Sequence, residues 1–413
     1  MAEMTSRDRV AAALNHEEPD RVPIDFGGSR ISGITAIAYK NLLKHLGRSE
    51  DIRIYDIKQQ LAIPSHNMVR YMGGDVVHLT RPGQTTGLPF LMIDRWQEGR
   101  MTDDSPCLVP EGYDPVFLDD GGMEIHRDGS VIARRPAGSL YFDVTTIPLK
   151  DAETPEDIDA YVWPDPWSER DEQFLKAEIE LLYHGTDMAL FAGMPVFDCS
   201  FFELGQYMFG FETLLTNFYL KRDMMEHWLD MLLKHHLAIL EKFLELSGPY
   251  ISAIQMNDDF GAQDNMLIPP ALYRELIKPR QAEWIALVRK YSDAKIFLHC
   301  DGAIADIIDD LIEIGIDILN PLQSGARGMD PGDIKRRYGD RLSFWGGGID
   351  TQSTLPFGSI NEIQNEVASR INLLGKGGGY VFATIHNIQP DISPEKILAV
   401  FETAGKHARY PLT

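Results

Sequence analysis

The stretch KIFLHCDGAIADIIDDLIEIGIDILNP, residues 295–321, decides how the rest of the chain is read. It opens with an apolar run of strand length that stops at His299, Cys300, Asp301 and Gly302. Apolar residues then recur at 304, 307, 308, 311 and 312, the spacing of one helix face. A second short apolar run, IDIL, follows. Strand, polar turn, helix, strand is the repeating unit of a parallel sheet. The stretch also poses a question: three groups able to bind a metal or carry a proton stand in a row where a strand ends.

The same rhythm runs in both directions. A helical pattern near 171–184 precedes MALFAGMPVFD (188–198), and MMEHWLDMLLKHHLAILEKFLEL (224–246) precedes YISAIQMNDD (250–259). A helical pattern from Pro270 to Lys290 leads into the opening stretch. Downstream come LSFWGGG (342–348) and GYVFATIH (379–386), each after a helical pattern. Apolar runs starting near 22, 75, 188, 250, 295, 316, 342 and 379 make eight strand candidates. Eight βα units predict a closed (β/α)8 TIM barrel, an α/β fold, with an open doubly wound sheet as the rival. DFGGSRISG (25–33) lacks the G-x-G-x-x-G spacing of a dinucleotide fold, which favours the barrel. A barrel takes roughly 250 residues. The surplus goes to N-terminal helices, the first over Ser6 to Asn15 with Thr5 or Ser6 as its cap, and to 85–185. There, two short alternating runs flank RDGS (127–130), a hairpin signal. The chain 1–413 is read as a single barrel domain with 85–185 as an insertion.

Composition narrows the function. The 413 residues are 44% hydrophobic and 24% charged, an ordinary globular mixture. Asp plus Glu (62) outnumber Lys plus Arg (39), for a net charge of −23. Such a surface repels phosphate backbones and anionic lipid, so nucleic acid and membrane are set aside as partners. Cys107, Cys199 and Cys300 are too few and odd in number for a disulfide framework. The N-terminal stretch is charged throughout, and no apolar run approaches the roughly 18 residues of a membrane span. A cytoplasmic location is the expectation.

In a barrel the chemistry gathers at the C-terminal ends of the strands. His299 and Asp301, two apart, point to one side of the strand and Cys300 to the other. Cys300 then reads as a buried apolar residue. His386, three strands later, lies across the mouth and is the natural third ligand beside His299 and Asp301. Imidazole and carboxylate both suit Zn2+. Asp258 and Asp259 are candidate proton donors, with helix capping as the competing role. Asp25, Asp198 and Gln323 stand at strand ends as candidate substrate contacts. Phe201 and Phe202, in VFDCSFFELGQYMFGF (196–211), suit an apolar wall for a ring, though a core helix uses the same pattern.

FLHCDGAI, LNPLQ, FWGGGID and GGGYVFATIHNIQPDISPEKI, with RDRVAAALNHEEPDRVPID near the N-terminus, resemble the uroporphyrinogen decarboxylase superfamily, in its methyltransferase-like, cobalamin-dependent branch. The resemblance spans nearly the whole chain, is densest over 250–405, and implies a (β/α)8 barrel. The decarboxylases bind a tetrapyrrole through an Arg-rich N-terminal motif. Here the corresponding IDFGGSRISG keeps only Arg30, which argues against porphyrinogen decarboxylation. The methyltransferase branch holds zinc through a pattern like H-x-C with a later Cys. His299 matches the first His, Asp301 stands in place of the first Cys, and His386 lies near the later one. Thiolates soften zinc, whereas His and Asp leave it a harder Lewis acid suited to oxygen. The resemblance therefore implies demethylation of a small oxygen substrate, of the methoxylated-aromatic or methanol type. The methyl group would pass to a separate corrinoid-binding protein, because the chain has no D-x-H-x-x-G motif of its own. A homodimer is a family-level expectation. Two other readings stay open: a decarboxylase of another carboxylate, and a non-catalytic binding protein.

Overall fold

The computed structural model describes residues 3–84, 91–163, 167–193, 195–196 and 200–412. Seven strands make one parallel sheet: β1 (Val76–Leu79), β2 (Ala189–Ala192), β3 (Ile251–Asn257), β4 (Lys295–His299), β5 (Ile318–Asn320), β6 (Ser343–Trp345) and β7 (Tyr380–Val381). They lie in chain order, each paired with the next. Helices fill the connections from β2 onward, such as Arg222–Ser247 before β3 and Lys278–Tyr291 before β4.

The two edges of this sheet meet through residues 22–25. Ile24 bridges to Phe382 in the parallel sense just past β7. The Asp25 N–H donates to the Phe382 carbonyl at 2.8 Å, and the Asp75 N–H, one residue before β1, donates to the Ile24 carbonyl at 2.7 Å. The expected first strand near 22 is therefore a one-residue bridge that closes the barrel, not a full ladder. Gly27, at φ 71°, turns the chain away directly after it.

Alternation fills the barrel. Val76, Ala189, Phe191, Ala253, Phe297, Ile318, Trp345, Val381 and Ala383 point inward and form one apolar cluster. The rings of Phe191, Phe297 and Trp345 lie 4.9–5.6 Å apart in its middle. Val10 and Leu14, from the Ser6–Leu14 helix, belong to the same cluster and stop one end. Thr5 caps that helix, accepting the Asp8 N–H at 3.1 Å. Period two then places Gln255 and Asn257 on β3, His299 on β4 and Asn320 on β5 above the ring layer, on the inward side.

The excursion between β1 and β2 holds two antiparallel sheets. One comprises Gly83–Gln84, Leu91–Arg100 and Pro106–Glu111. The other comprises Val116–Phe117, Met123–Arg127, Ser130–Arg135 and Asp143–Val144. The expected hairpin turns at Asp128 and Gly129, both with positive φ (49° and 78°), as a tight two-residue turn requires. The segment after it runs back to the barrel: the Phe142 N–H donates to the Lys58 carbonyl at 2.9 Å. Among the described residues no helix is long and apolar enough to cross a membrane.

Candidate metal centre

The last residue of β4 is His299, 4% exposed. Its orientation follows from a chain of hydrogen bonds. Asn320, the last residue of β5, donates from Nδ2 to the Trp345 carbonyl at 2.7 Å. A carbonyl can only accept, so Asn320 Oδ1 faces the other way, onto His299 Nδ1 at 2.6 Å. His299 Nδ1 must then carry the proton, which leaves the Nε2 lone pair bare. That nitrogen faces Asp301 Oδ2 at 3.9 Å. His386 closes the group, its ring centroid 6.3 Å from that of His299. Among the described residues His299, Asp301 and His386 are the one group of three metal-ligating side chains whose donor atoms converge, all within 4.8 Å of one another.

The donor set fits a divalent cation. Two imidazoles and one carboxylate give a net charge of about −1 when both rings are neutral. Burial lowers the His386 pKa below the ordinary histidine value, which favours the neutral, ligating form; Asp301 opposes this, and His299 and Arg30 reinforce it. Tetrahedral zinc with bonds of about 2 Å needs donors roughly 3.3 Å apart, a small side-chain rotation from what is found. Asn320 supplies the outer hydrogen bond that ligating histidines ordinarily have.

Around this cluster stand further polar groups. The Asp301 N–H donates to Asp259 Oδ1 at 2.8 Å, and the Gly302 N–H to Gln323 Oε1 at 2.7 Å. Gln323 thus pins the turn that presents Asp301. Burial, opposed by His299 and reinforced by Asp301, raises the Asp259 pKa. Tyr141 arrives from the excursion, its hydroxyl accepting from Gln389 Nε2 at 2.9 Å.

Other expected site residues have different roles. Asp258 is fully buried and accepts the N–H groups of Phe201 (3.1 Å) and Glu203 (2.8 Å), so it caps the Phe202–Phe209 helix. Burial pushes its carboxyl up to about 7, against the pull of those N–H groups. Phe201 and Phe202 are 0% exposed and do not wall a pocket. Phe201 stacks on His236, and Phe202 on Phe218 and Phe260. Asp25 is saturated by donors from Gly28 N (2.7 Å), Ser32 Oγ (2.6 Å) and Trp345 Nε1 (2.8 Å). It organises the 25–32 turn against β6 and is not free for a substrate. Burial raises it to about 6 even so. Asp198 and Cys199 lie outside the described residues. Cys300 is fully buried, its Sγ 3.2 Å from the Phe260 N–H, on the side of β4 away from the cluster.

Glu203 was not anticipated. It lies in the first turn of the Phe202–Phe209 helix, where Asn257 Nδ2 donates to its Oε2 at 2.6 Å. Two clefts, of about 980 and 900 Å³, lie along the excursion, and neither is lined by the three converging ligands.

Comparison with known proteins places the chain in context. Residues 143–407 match the family model described as Uroporphyrinogen decarboxylase (URO-D). A uroporphyrinogen decarboxylase of Hydrogenovibrio crunogenus is 26% identical over 190 residues, 44% of this chain and 49% of that protein. The chain thus spans about half the length of this curated relative. One of Pseudomonas putida is 25% identical over 284 residues, 65% of this chain and 75% of that protein. Among solved structures, a methyltransferase from Methanosarcina mazei is similar at a TM-score of 0.60 and 16% identity, over 98% of this chain and 99% of that one. At that identity the likeness bears on the fold.

Proposed function

The chain belongs to the uroporphyrinogen decarboxylase (URO-D) family, and we propose that within it this protein is a methyltransferase. It would take a methyl group from an oxygen substrate, of the methoxylated-aromatic or methanol type, and pass it to a separate corrinoid protein. The observation that carries this reading is the convergence of His299, Asp301 and His386 at the end of the barrel where family chemistry resides. These three side chains would hold Zn2+. Bound there, such an ion supplies Lewis acidity toward an ether or alcohol oxygen.

The chain's own residues do the rest. Asn320 keeps the His299 lone pair aimed at the cluster. Gln323 and Asp259 hold the backbone at Gly302 and Asp301, so the carboxylate does not swing away. Tyr141, held by Gln389, brings an excursion residue to the 386–389 segment beside the cluster. The names of the curated relatives speak for decarboxylation, but the residue left of the Arg-rich motif speaks against it. Arg30 is buried and ion-paired with Asp56.

Methyl transfer is tested by supplying the purified protein with a Co(I) corrinoid protein and either a methoxylated aromatic or methanol. Wild type should methylate the corrinoid. His386→Ala should lose both bound metal and transfer while staying folded, since no large core side chain is removed. Full transfer by His386→Ala, or release of carbon dioxide from a carboxylate by the wild type without methyl transfer, would overturn the reading.

A further inference from the structure

Two carboxyl groups lie at the end of β3: Asp259, two residues past it, and Glu203, bonded to its last residue, Asn257. Asp259 is tied to the cluster itself, because its Oδ1 takes the Asp301 N–H. Glu203 is one side chain further out. It is bonded through Oε2 to Asn257, and Asn257 is the register partner of His299 on the neighbouring strand. Among the described residues no donor reaches Glu203 Oε1. Asp259 accepts a hydrogen bond that favours its ionised form, while Glu203 has one free oxygen and a negative neighbour. Two half-buried carboxyls whose charges act on one another do not both ionise readily, and the proton stays on the one less well solvated by donors. Burial first, then the charges of Asp259 and Asp258, push Glu203 well above the ordinary glutamate value, with Lys58 and Arg30 opposing.

We propose that Glu203 is the acid that protonates the leaving oxygen as the methyl group departs. This inference rests on the methyl-transfer reading and deepens it. The O–CH3 bond breaks with its electron pair left on oxygen. The proton on Glu203 Oε1 forms the new O–H bond, and Glu203 remains as a carboxylate until solvent reprotonates it. The methyl carbon takes its new bond from the electron pair of the Co(I) acceptor, which is thereby oxidised to Co(III). The product is a phenol, or water when methanol is the donor, rather than a phenolate or hydroxide. Asp258, spent on capping a helix, is excluded from this part. Asp259, held by the Asp301 backbone, is a positioning residue.

The assignment predicts that Glu203 matters in proportion to how badly the leaving oxygen needs a proton. Glu203→Gln is isosteric, keeps an acceptor for Asn257 Nδ2, and has no acidic proton. With methanol or an electron-rich methoxybenzene as donor, transfer should fall by about 100-fold or more. With a nitro-substituted methoxybenzene, whose phenolate leaves unaided, it should fall only a few-fold. Metal content should match wild type. The wild-type minus Glu203→Gln infrared difference spectrum should carry a protonated-carboxyl band at neutral pH, over the background that Asp258 contributes to both. Equal losses with both donors, no loss with either, or a difference spectrum without a protonated-carboxyl band would overturn the assignment while leaving methyl transfer standing. A wild type that demethylates none of these donors would remove the functional reading and this inference together.

Discussion

Asn320 decides which nitrogen of His299 is available, and its replacement separates a metal site from a chance meeting of polar groups. Asn320→Ala removes the acceptor for Nδ1–H and lets the ring turn and change tautomer. Loss of such an outer hydrogen bond weakens metal binding by about 10–100-fold. Competition with a chelating dye should show that fall, and an unchanged affinity would mean that His299 does not ligate through Nε2. Residues of this kind differ in how far a sequence exposes them. The convergence of His299, Asp301 and His386 was legible because strand ends and period-two alternation fix both place and direction. Glu203 was not, since its partner Asn257 is 54 positions away and the stretch around it is dominated by phenylalanines. Those phenylalanines misled in turn: an apolar face reads the same whether it meets a ligand or Phe218 and Phe260.

The N-terminal helix shows how an element is locked in place. Asp75, 0% exposed, accepts from Ser6 Oγ, Arg9 Nη1, both terminal nitrogens of Arg21 and the Ile24 N–H at 2.7–2.9 Å. One carboxylate thereby ties the helix that stops the barrel to the segment that closes it. Asp75→Ala leaves a buried Arg9 short of a partner and should cost about 3–5 kcal/mol of stability by denaturant unfolding. A loss under about 1 kcal/mol would show that the network is solvated. The neighbouring Asp20 gives this lock a pH signature. Burial alone would raise its pKa, but Arg9 and the N–H groups of Met4 and Arg21 outweigh burial and hold it down to about 2. A depressed carboxyl stabilises the fold above its unfolded value near 3.9 and loses that contribution as pH falls toward 2. Unfolding free energy should therefore drop between about pH 4 and pH 2, and drop less in Asp20→Asn. None of this network was read from the sequence, where Arg9, Arg21 and Asp75 are scattered charges with no periodic signal.

At the scale of the whole molecule, the alternation of apolar runs and helical patterns was enough to reach the barrel. The closure was harder to see: residues 22–25 make too few ladder bonds to be a strand, yet they bond to both β1's approach and β7's exit. The hairpin at 127–130 was legible, but the contact of Tyr141 with Gln389 was not, because long-range contacts leave no periodic trace. Barrel, closure and excursion together bring three side chains able to ligate a metal to one point, with a thiol on the far side of the same strand. That arrangement carries the central claim, a hard zinc site of nitrogen and oxygen ligands. Zinc-edge X-ray absorption of protein purified without chelator tests it most directly. The account predicts about one zinc per chain with only N and O neighbours at about 2.0–2.1 Å and the outer-shell scattering of two imidazoles. A sulfur neighbour at about 2.3 Å, which would make Cys300 the ligand, or no zinc at all, would contradict it.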